Sequence, residues 1–187
     1  TFGGNSSSQV SRLDYANDTS AGSQRGNLYT PADYCATVGN NNYGYTGGRP
    51  WGNPSLLARV DYANDTVQET LLGTNLFVMP GYYGYGGVGN QNFGYYVGGT
   101  PSSSSVRSID YSNDAVAVSP KGPLSATGRY ACATGNANYG WVSVGPSYYH
   151  SAINRIDYAN DTGQATPKGN LSVSSTFRSV TGDNNYG

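Results

Sequence analysis

A short motif recurs four times along the chain, and this repetition constrains the fold more than any other feature. The copies stand at residues 13–19, 60–66, 109–115 and 156–162, and each reads hydrophobic-Asp-Tyr-Ala/Ser-Asn-Asp-Thr/Ala. Their first aspartates, Asp14, Asp61, Asp110 and Asp157, are spaced 47, 49 and 47 residues apart. Repetition at such a period indicates one supersecondary unit used several times. We therefore expect a single repeat domain over residues 1–187, with repeats of approximately 1–44, 45–94, 95–140 and 141–187.

Each repeat has the pattern of several short strands. Residue character alternates along 10–15 and 153–158, which is the period of a strand, and turn residues follow roughly every 8–12 residues. Strong helix formers are scarce, since Glu69 is the single Glu and Met79 the single Met. About four short antiparallel strands per repeat are what the blade of a β-propeller requires. The expected fold class is all-β, with four blades.

The repeats resemble the kelch type of propeller blade. In the third repeat, 95–99 ends in the aromatic-x-Gly-Gly of such a blade, Ile109-Asp110 ends the next strand, a polar turn covers 111–114, and Arg129 follows. The kelch tryptophan after the turn is absent, so we expect tyrosines to fill the blade core. The Asp-Tyr-Ser/Ala-Asn-Asp-Thr variant is similar to tail-fibre-like repeat proteins of aquatic phages. The resemblance implies a four-bladed kelch-like β-propeller.

One repeat is divided between the two ends of the sequence. The last copy stops at Tyr186-Gly187, and the sequence begins with Thr1-Phe2-Gly3-Gly4, the aromatic-x-Gly-Gly that the last copy lacks. Either the two ends pair within one molecule and close a ring, or each N-terminal segment completes the last repeat of a neighbour. We expect ring closure or assembly to involve Thr1, Phe2, Gly3, Gly4, Tyr186 and Gly187.

Composition excludes several classes of protein. Ten basic and 11 acidic residues give a net charge of −1, so no electrostatic footprint for nucleic acid is present. No stretch approaches the roughly 20 apolar residues that a membrane helix needs. Aromatic residues make up 13% of the chain, which argues against disorder. We expect neither a nucleic-acid partner nor a membrane partner.

Catalysis, metal binding and cofactor binding find little support in the sequence. His150 is the single histidine, and the sequence identifies neither a nucleophile nor an orienting carboxylate for it. Cys35 and Cys132 hold near-equivalent places in repeats one and three. They could form a disulfide only across a narrow central axis, so we favour two free thiols. Two cysteines without accompanying histidines fall short of a zinc site. We predict no catalytic residue, no metal, no cofactor and therefore no enzyme.

The Asp-x-x-Asn-Asp run has two chemical interpretations besides glycosylation. Its oxygens suit calcium, but Asp and Asn also form tight turns by bonding their own backbone. The run lacks the alternate-residue rhythm of calcium loops, which favours the turn. Asn-x-Ser/Thr sequences make glycosylation a further use of Asn5, Asn17, Asn64, Asn160 and Asn170.

Three arginines stand two residues before the first aspartate of a motif copy. They are Arg12, Arg59 and Arg155. This spacing places the arginine and the aspartate on one face of a strand. We expect ion pairs between neighbouring strands or blades, with a substrate-binding ring of arginines as the alternative.

Aromatic residues among Gly, Asn and Ser are candidates for sugar contacts, because flat rings beside amide and hydroxyl groups can stack on sugars. The same rings also fill blade interfaces and contact protein partners. The candidates are Trp51, Tyr82, Tyr83, Tyr85, Trp141, Tyr148 and Tyr149.

These observations predict a non-enzymatic structural module, located outside the cell or on a virion surface. Its expected partner is itself, through ring contacts or through head-to-tail contacts that build a fibre. The alternative is a lectin-like adhesion module that binds surface glycans through its aromatic loops.

Overall fold

The computed structural model describes residues 2–4 (backbone only), 7–48, 54–175, 178–182 and 185. The strands of these ranges form four antiparallel sheets that succeed one another along the chain, each a meander in which consecutive strands pair. The predicted all-β fold with four blades is confirmed. No helix in the described ranges is long and apolar enough to cross a membrane.

The blades differ in the number of strands that the described residues form. Blade 1 has three described strands, β1 (Phe2–Gly4), β2 (Ser7–Arg12) and β3 (Ser23–Ala32). Blade 2 has β4 (Ala36–Gly39), β5 (Tyr43–Gly47), β6 (Leu57–Asp61) and β7 (Thr70–Gly73). Blade 3 has β8 (Tyr83–Gly89), β9 (Phe93–Thr100), β10 (Val106–Asp110) and β11 (Ser119–Pro120). Blade 4 has β12 (Cys132–Gly135), β13 (Tyr139–Ser143), β14 (Ile153–Asp157) and β15 (Thr166–Pro167).

The repeat boundaries expected from the sequence do not coincide with the blade boundaries. Those at 44/45, 94/95 and 140/141 fall inside β5, β9 and β13. The physical reason is that a repeat period fixes the length of the unit but not the strand with which a blade begins.

The Asp-x-x-Asn-Asp run forms a turn, as favoured above. In blades 1, 2 and 4 it is a single turn of 3-10 helix at Tyr15–Asn17, Tyr62–Asn64 and Tyr158–Asn160. The first aspartate caps this turn, since the Ala16 N–H donates to Asp14 Oδ1 at 2.9 Å and the other copies do the same. The first aspartate is therefore engaged within its own turn.

Tyrosines fill the cores, which lie between blades. Between blades 2 and 3, Phe77 packs edge-on against Tyr85 and Tyr96, with ring centroids 5.4 and 4.7 Å apart. Tyr45 belongs to the same cluster, and Tyr95 is central to the one between blades 3 and 4. Such aromatic pairs contribute beyond their buried area. The expectation that tyrosines fill the blade core is confirmed.

Candidate functional site

The second aspartate of each motif copy is here called the turn aspartate, and in blades 2, 3 and 4 it connects its blade to the blade before it. The turn aspartates are Asp18, Asp65, Asp114 and Asp161. Between blades 1 and 2, Arg12 Nη1 lies 3.1 Å from Asp65 Oδ2 and Arg25 Nη2 lies 2.6 Å from Asp65 Oδ1. The hydrogen bond from Arg25 and the charges of both arginines hold the pKa of Asp65 below its usual range.

The next two junctions use the same acceptor with different donors. Between blades 2 and 3, Arg59 Nη1 and the Tyr45 hydroxyl donate to Asp114 Oδ2 at 2.6 and 3.0 Å. Between blades 3 and 4, Lys121 Nζ lies 2.9 Å from Asp161 Oδ2, and the Tyr95 hydroxyl donates to that oxygen at 2.9 Å.

Ion pairs between blades were expected from the arginine spacing, and Arg12 and Arg59 form them. Their partners are the turn aspartates of the next blade rather than the first aspartates of their own motif copies. The cause is the capping role of the first aspartate, which leaves the second to face the neighbouring blade.

Each of these three junctions is also crossed by a backbone hydrogen bond. The N–H groups of Glu69, Val118 and Ala165 donate to carbonyls of the preceding blade at 2.8, 2.9 and 2.9 Å. At two junctions a glycine also meets the next turn, because the N–H groups of Gly26 and Gly122 donate to the carbonyls of Asp65 and Asp161 at 2.7 and 2.8 Å. A Cβ on Gly26 would lie 1.8 Å from the Val67 carbonyl oxygen, so only glycine fits there.

Ring stacking completes two of the junctions. Tyr45 stacks on Tyr111 with centroids 4.9 Å apart, and Tyr95 stacks on Tyr158 at 4.8 Å. Burial, followed by the hydrogen bond to a turn aspartate, raises the pKa of Tyr45 and of Tyr95 well above the usual value. Both hydroxyls therefore stay protonated as donors at neutral pH.

A second feature is a run of four tyrosine rings, here called the tyrosine row: Tyr34, Tyr83, Tyr130 and Tyr148. Successive ring centroids lie 5.6, 6.1 and 5.6 Å apart. Desolvation and the neighbouring Tyr83 hydroxyl raise the pKa of Tyr130 to about 12. The guanidinium of Arg129 lies over the Tyr148 ring at 5.3 Å. Tyr34 and Tyr148 remain 56% and 50% exposed, so the row presents aromatic surface to solvent.

The backbone of this row is unusual. Tyr34 and Tyr130 have φ angles of 49° and 52°, in the left-handed region, which costs an L-residue with a Cβ roughly 1–2 kcal/mol. The equivalent position of blade 3 is Gly84, with φ of 73°. Tyr34 and Tyr130 were not among the predicted site residues, although aligning the residues that precede Gly39, Gly89 and Gly135 places both beside this glycine.

The predicted sugar-binding residues are dispersed. Tyr83 and Tyr148 belong to the tyrosine row, and Tyr82 and Tyr149 are 63% and 68% exposed. Tyr85 corrects the prediction, since it is 6% exposed and packs in the core, where no surface ligand reaches it. Trp141 lies half-buried on blade 4 beside Tyr139. Trp51 lies outside the described residues.

The residues expected to close a ring or join subunits are partly described. Phe2–Gly4 forms β1, which pairs with β2 of the same chain. Thr1, Tyr186 and Gly187 lie outside the described residues. Within the described part, residues 178–182 belong to no sheet.

The remaining candidates are placed as follows. Asn17, Asn64, Asn160 and Asn170 are exposed, which leaves the prediction of glycosylation open, and Asn5 lies outside the described residues. Cys35 and Cys132 are not joined in a disulfide, and the thiol state favoured above is the one present.

His150 is buried, and this desolvation lowers its pKa. Its backbone pairs with Ser175. Within the described residues, no group of three or more His, Cys, Asp or Glu side chains is placed to hold a metal ion.

Comparison with known proteins identifies the architecture. No family model matches the chain, and no curated protein matches it. The structure of YjhT, a β-propeller, superposes with a TM-score of 0.68 at 11% identity. The chain has a β-propeller fold. The superposition covers 92% of this chain and 63% of the YjhT chain, so this propeller spans less than two thirds of the length of its neighbour. At this identity the likeness shows the fold alone.

Proposed function

We propose that the chain is a non-enzymatic, kelch-like structural module that joins copies of itself head to tail. The proposal places it outside the cell or on a virion surface, as a subunit of a fibre. The observation that carries it is the direction of the blade junctions. At each of the three, the earlier blade supplies the charged donors and the later blade supplies the turn aspartate.

Because each junction joins a donor side to an acceptor side, the first and the last blade of a series present two unlike surfaces. Blade 4 retains a donor side, and blade 1 retains a turn that accepts. Contacts between unlike surfaces are heterologous, and they generate closed rings or open filaments depending on the rotation between copies. Only 11% of the residues are charged. A low surface charge promotes association between copies, whereas a highly charged surface keeps them apart.

Light scattering over a range of protein concentrations, with negative-stain images of the same samples, tests this proposal. We expect the mass to rise with concentration in steps of the 19.6 kDa subunit, and the images to show regular oligomers. A single species at 19.6 kDa up to high concentration would overturn the proposal.

A second candidate function is saccharide binding at the tyrosine row, which gives the lectin-like alternative a location. The supporting observation is that Tyr34 and Tyr130 keep a costly left-handed backbone where blade 3 has glycine. Strained residues cluster at binding sites, because the fold keeps them in place despite their cost.

A glycan array tests this second candidate. We expect retention of the wild type to be lost in Tyr34→Gly and Tyr130→Gly, both of which place glycine where Gly84 already stands in blade 3. Tyr29→Ala, an exposed tyrosine of β3 that is 43% exposed, is the matched control. Retention that is equal in all four proteins would exclude the tyrosine row as the binding surface.

A further inference from the structure

We infer that Trp141, Arg155, Lys168 and Gly169 of blade 4 form the surface that receives the next copy of the chain, and that this surface binds the turn of blade 1 that contains Tyr15 and Asp18. The inference rests on the proposed function, because it names the two surfaces that join.

The donor side of blade 4 copies that of blade 2. Strand pairing places Trp141 opposite Arg155, as it places Tyr45 opposite Arg59. The Arg155 guanidinium lies 4.4 Å from the ring centroid of Tyr139, and the Arg59 guanidinium lies 4.5 Å from that of the equivalent Tyr43.

Blade 2 uses this arrangement to hold a turn aspartate, whereas no turn aspartate of the described residues lies against blade 4 in this way. Tyr45 and Arg59 both reach Asp114 Oδ2. Among the described residues, no carboxylate lies within ion-pair distance of Arg155, and its Nε is buried without a hydrogen-bond partner. The indole N–H of Trp141 is a donor, as the Tyr45 hydroxyl is. The donor set of blade 4 is therefore formed, and no carboxylate of the described residues occupies it.

Gly169 gives the most specific indication that a further blade is needed. Its equivalents Gly26 and Gly122 are so close to the next turn that a Cβ would lie 1.8 and 1.9 Å from a carbonyl oxygen. At Gly169 a Cβ would meet nothing within 4 Å. Lys168, which precedes it as Arg25 precedes Gly26, is exposed and has no carboxylate partner in the described part of the chain.

The turn of blade 1 is the complementary half. Asp14 caps it as in the other blades, but its turn aspartate, Asp18, is exposed, whereas Asp65 is 7% exposed. Tyr15 is 89% exposed, whereas the equivalent Tyr111 and Tyr158 are stacked on the preceding blade. Two cations of blade 4 thus match one carboxylate of blade 1 that has no partner among the described residues, and Trp141 matches the exposed ring of Tyr15.

Two variants test these surfaces, one on each side. Gly169→Ala blocks the donor side with a single methyl group, and Asp18→Lys reverses the charge of the acceptor side. We expect both to remain at 19.6 kDa at concentrations at which the wild type assembles. Their melting temperatures should equal that of the dissociated wild type. The added methyl group at position 169 meets no atom within 4 Å, and the Asp18 side chain is exposed and has no partner in the described part of the chain. Gln164→Lys, at an exposed position of the blade 4 turn, is the control and should assemble like the wild type.

The outcomes separate this inference from the proposed function. If the wild type and both variants assemble equally, these surfaces are wrong and the proposed function stands. If the wild type remains monomeric, the second copy is excluded as the occupant. In that case a lowered melting temperature of Gly169→Ala places the contact within one molecule, and an unchanged melting temperature shows that no such contact forms.

Discussion

Replacing Gly122 by alanine should weaken the junction between blades 3 and 4 far more than the same change at Gly169. A Cβ at position 122 would lie 1.9 Å from the Gly163 carbonyl oxygen and 2.7 Å from that of Thr162. Both atoms belong to backbone, so the turn of blade 4 must move away. This movement breaks the hydrogen bond that the Gly122 N–H donates to the Asp161 carbonyl oxygen, in which nitrogen and oxygen are 2.8 Å apart.

The cost follows from three contributions to the free energy of unfolding. Overpacking costs about 1–3 kcal/mol, the lost hydrogen bond about 1 kcal/mol, and loss of the partly buried Lys121–Asp161 ion pair about 0–1 kcal/mol. Together they give about 2–5 kcal/mol, or a decrease in melting temperature of about 4–20 °C for a chain of this size.

Thermal unfolding followed by circular dichroism, at a concentration where the subunits are dissociated, measures the effect. Gly169→Ala is the matched control and should melt within about 2 °C of the wild type, because its methyl group meets no atom. If Gly122→Ala also melted within 2 °C of the wild type, the described junction would not be the one that holds blades 3 and 4 together.

Two further predictions concern pH. Burial raises the pKa of Tyr85, Tyr95 and Tyr96, so stability should be constant up to about pH 10 and decrease above it, where the unfolded chain loses tyrosine protons that the folded chain retains. Melting temperatures between pH 8 and 11.5 check this, and a flat profile would contradict it. Hydrogen bonding to Arg25 lowers the pKa of Asp65, so its stabilisation should be present above about pH 4 and disappear as pH falls through the lowered pKa. Asp65→Asn should therefore be less stable than the wild type at pH 7, and this difference should shrink as pH falls below about 4; a difference that stays constant as pH falls would refute the assignment.

The repeat was sufficient to predict the all-β fold, the four blades and the capped turns. Each copy of the motif contains its own turn residues, so these features depend on interactions between residues that are close in the sequence. The ion-pair partner of Arg12 could not be predicted from this local chemistry alone. Asp14 lies two residues after Arg12, but it caps the turn, and Asp65 becomes the partner only because blade 2 packs against blade 1.

The division of the tyrosines between core and surface was not predictable from alternation. Tyr83 and Tyr85 are two residues apart, which in a regular strand places both side chains on one face. Gly84, with φ of 73°, turns the backbone between them. Tyr85 therefore enters the core, and Tyr83 joins the tyrosine row.

The central claim, that blade 4 of one copy binds blade 1 of the next, is tested most directly by mixing two variants. Asp18→Lys retains an intact donor side, and Gly169→Ala retains an intact acceptor side. Each variant alone should scatter light as a 19.6 kDa species, and the equimolar mixture should form dimers of twice that mass and no longer chains. A mixture that stays monomeric, or a variant that forms long assemblies alone, would contradict the account.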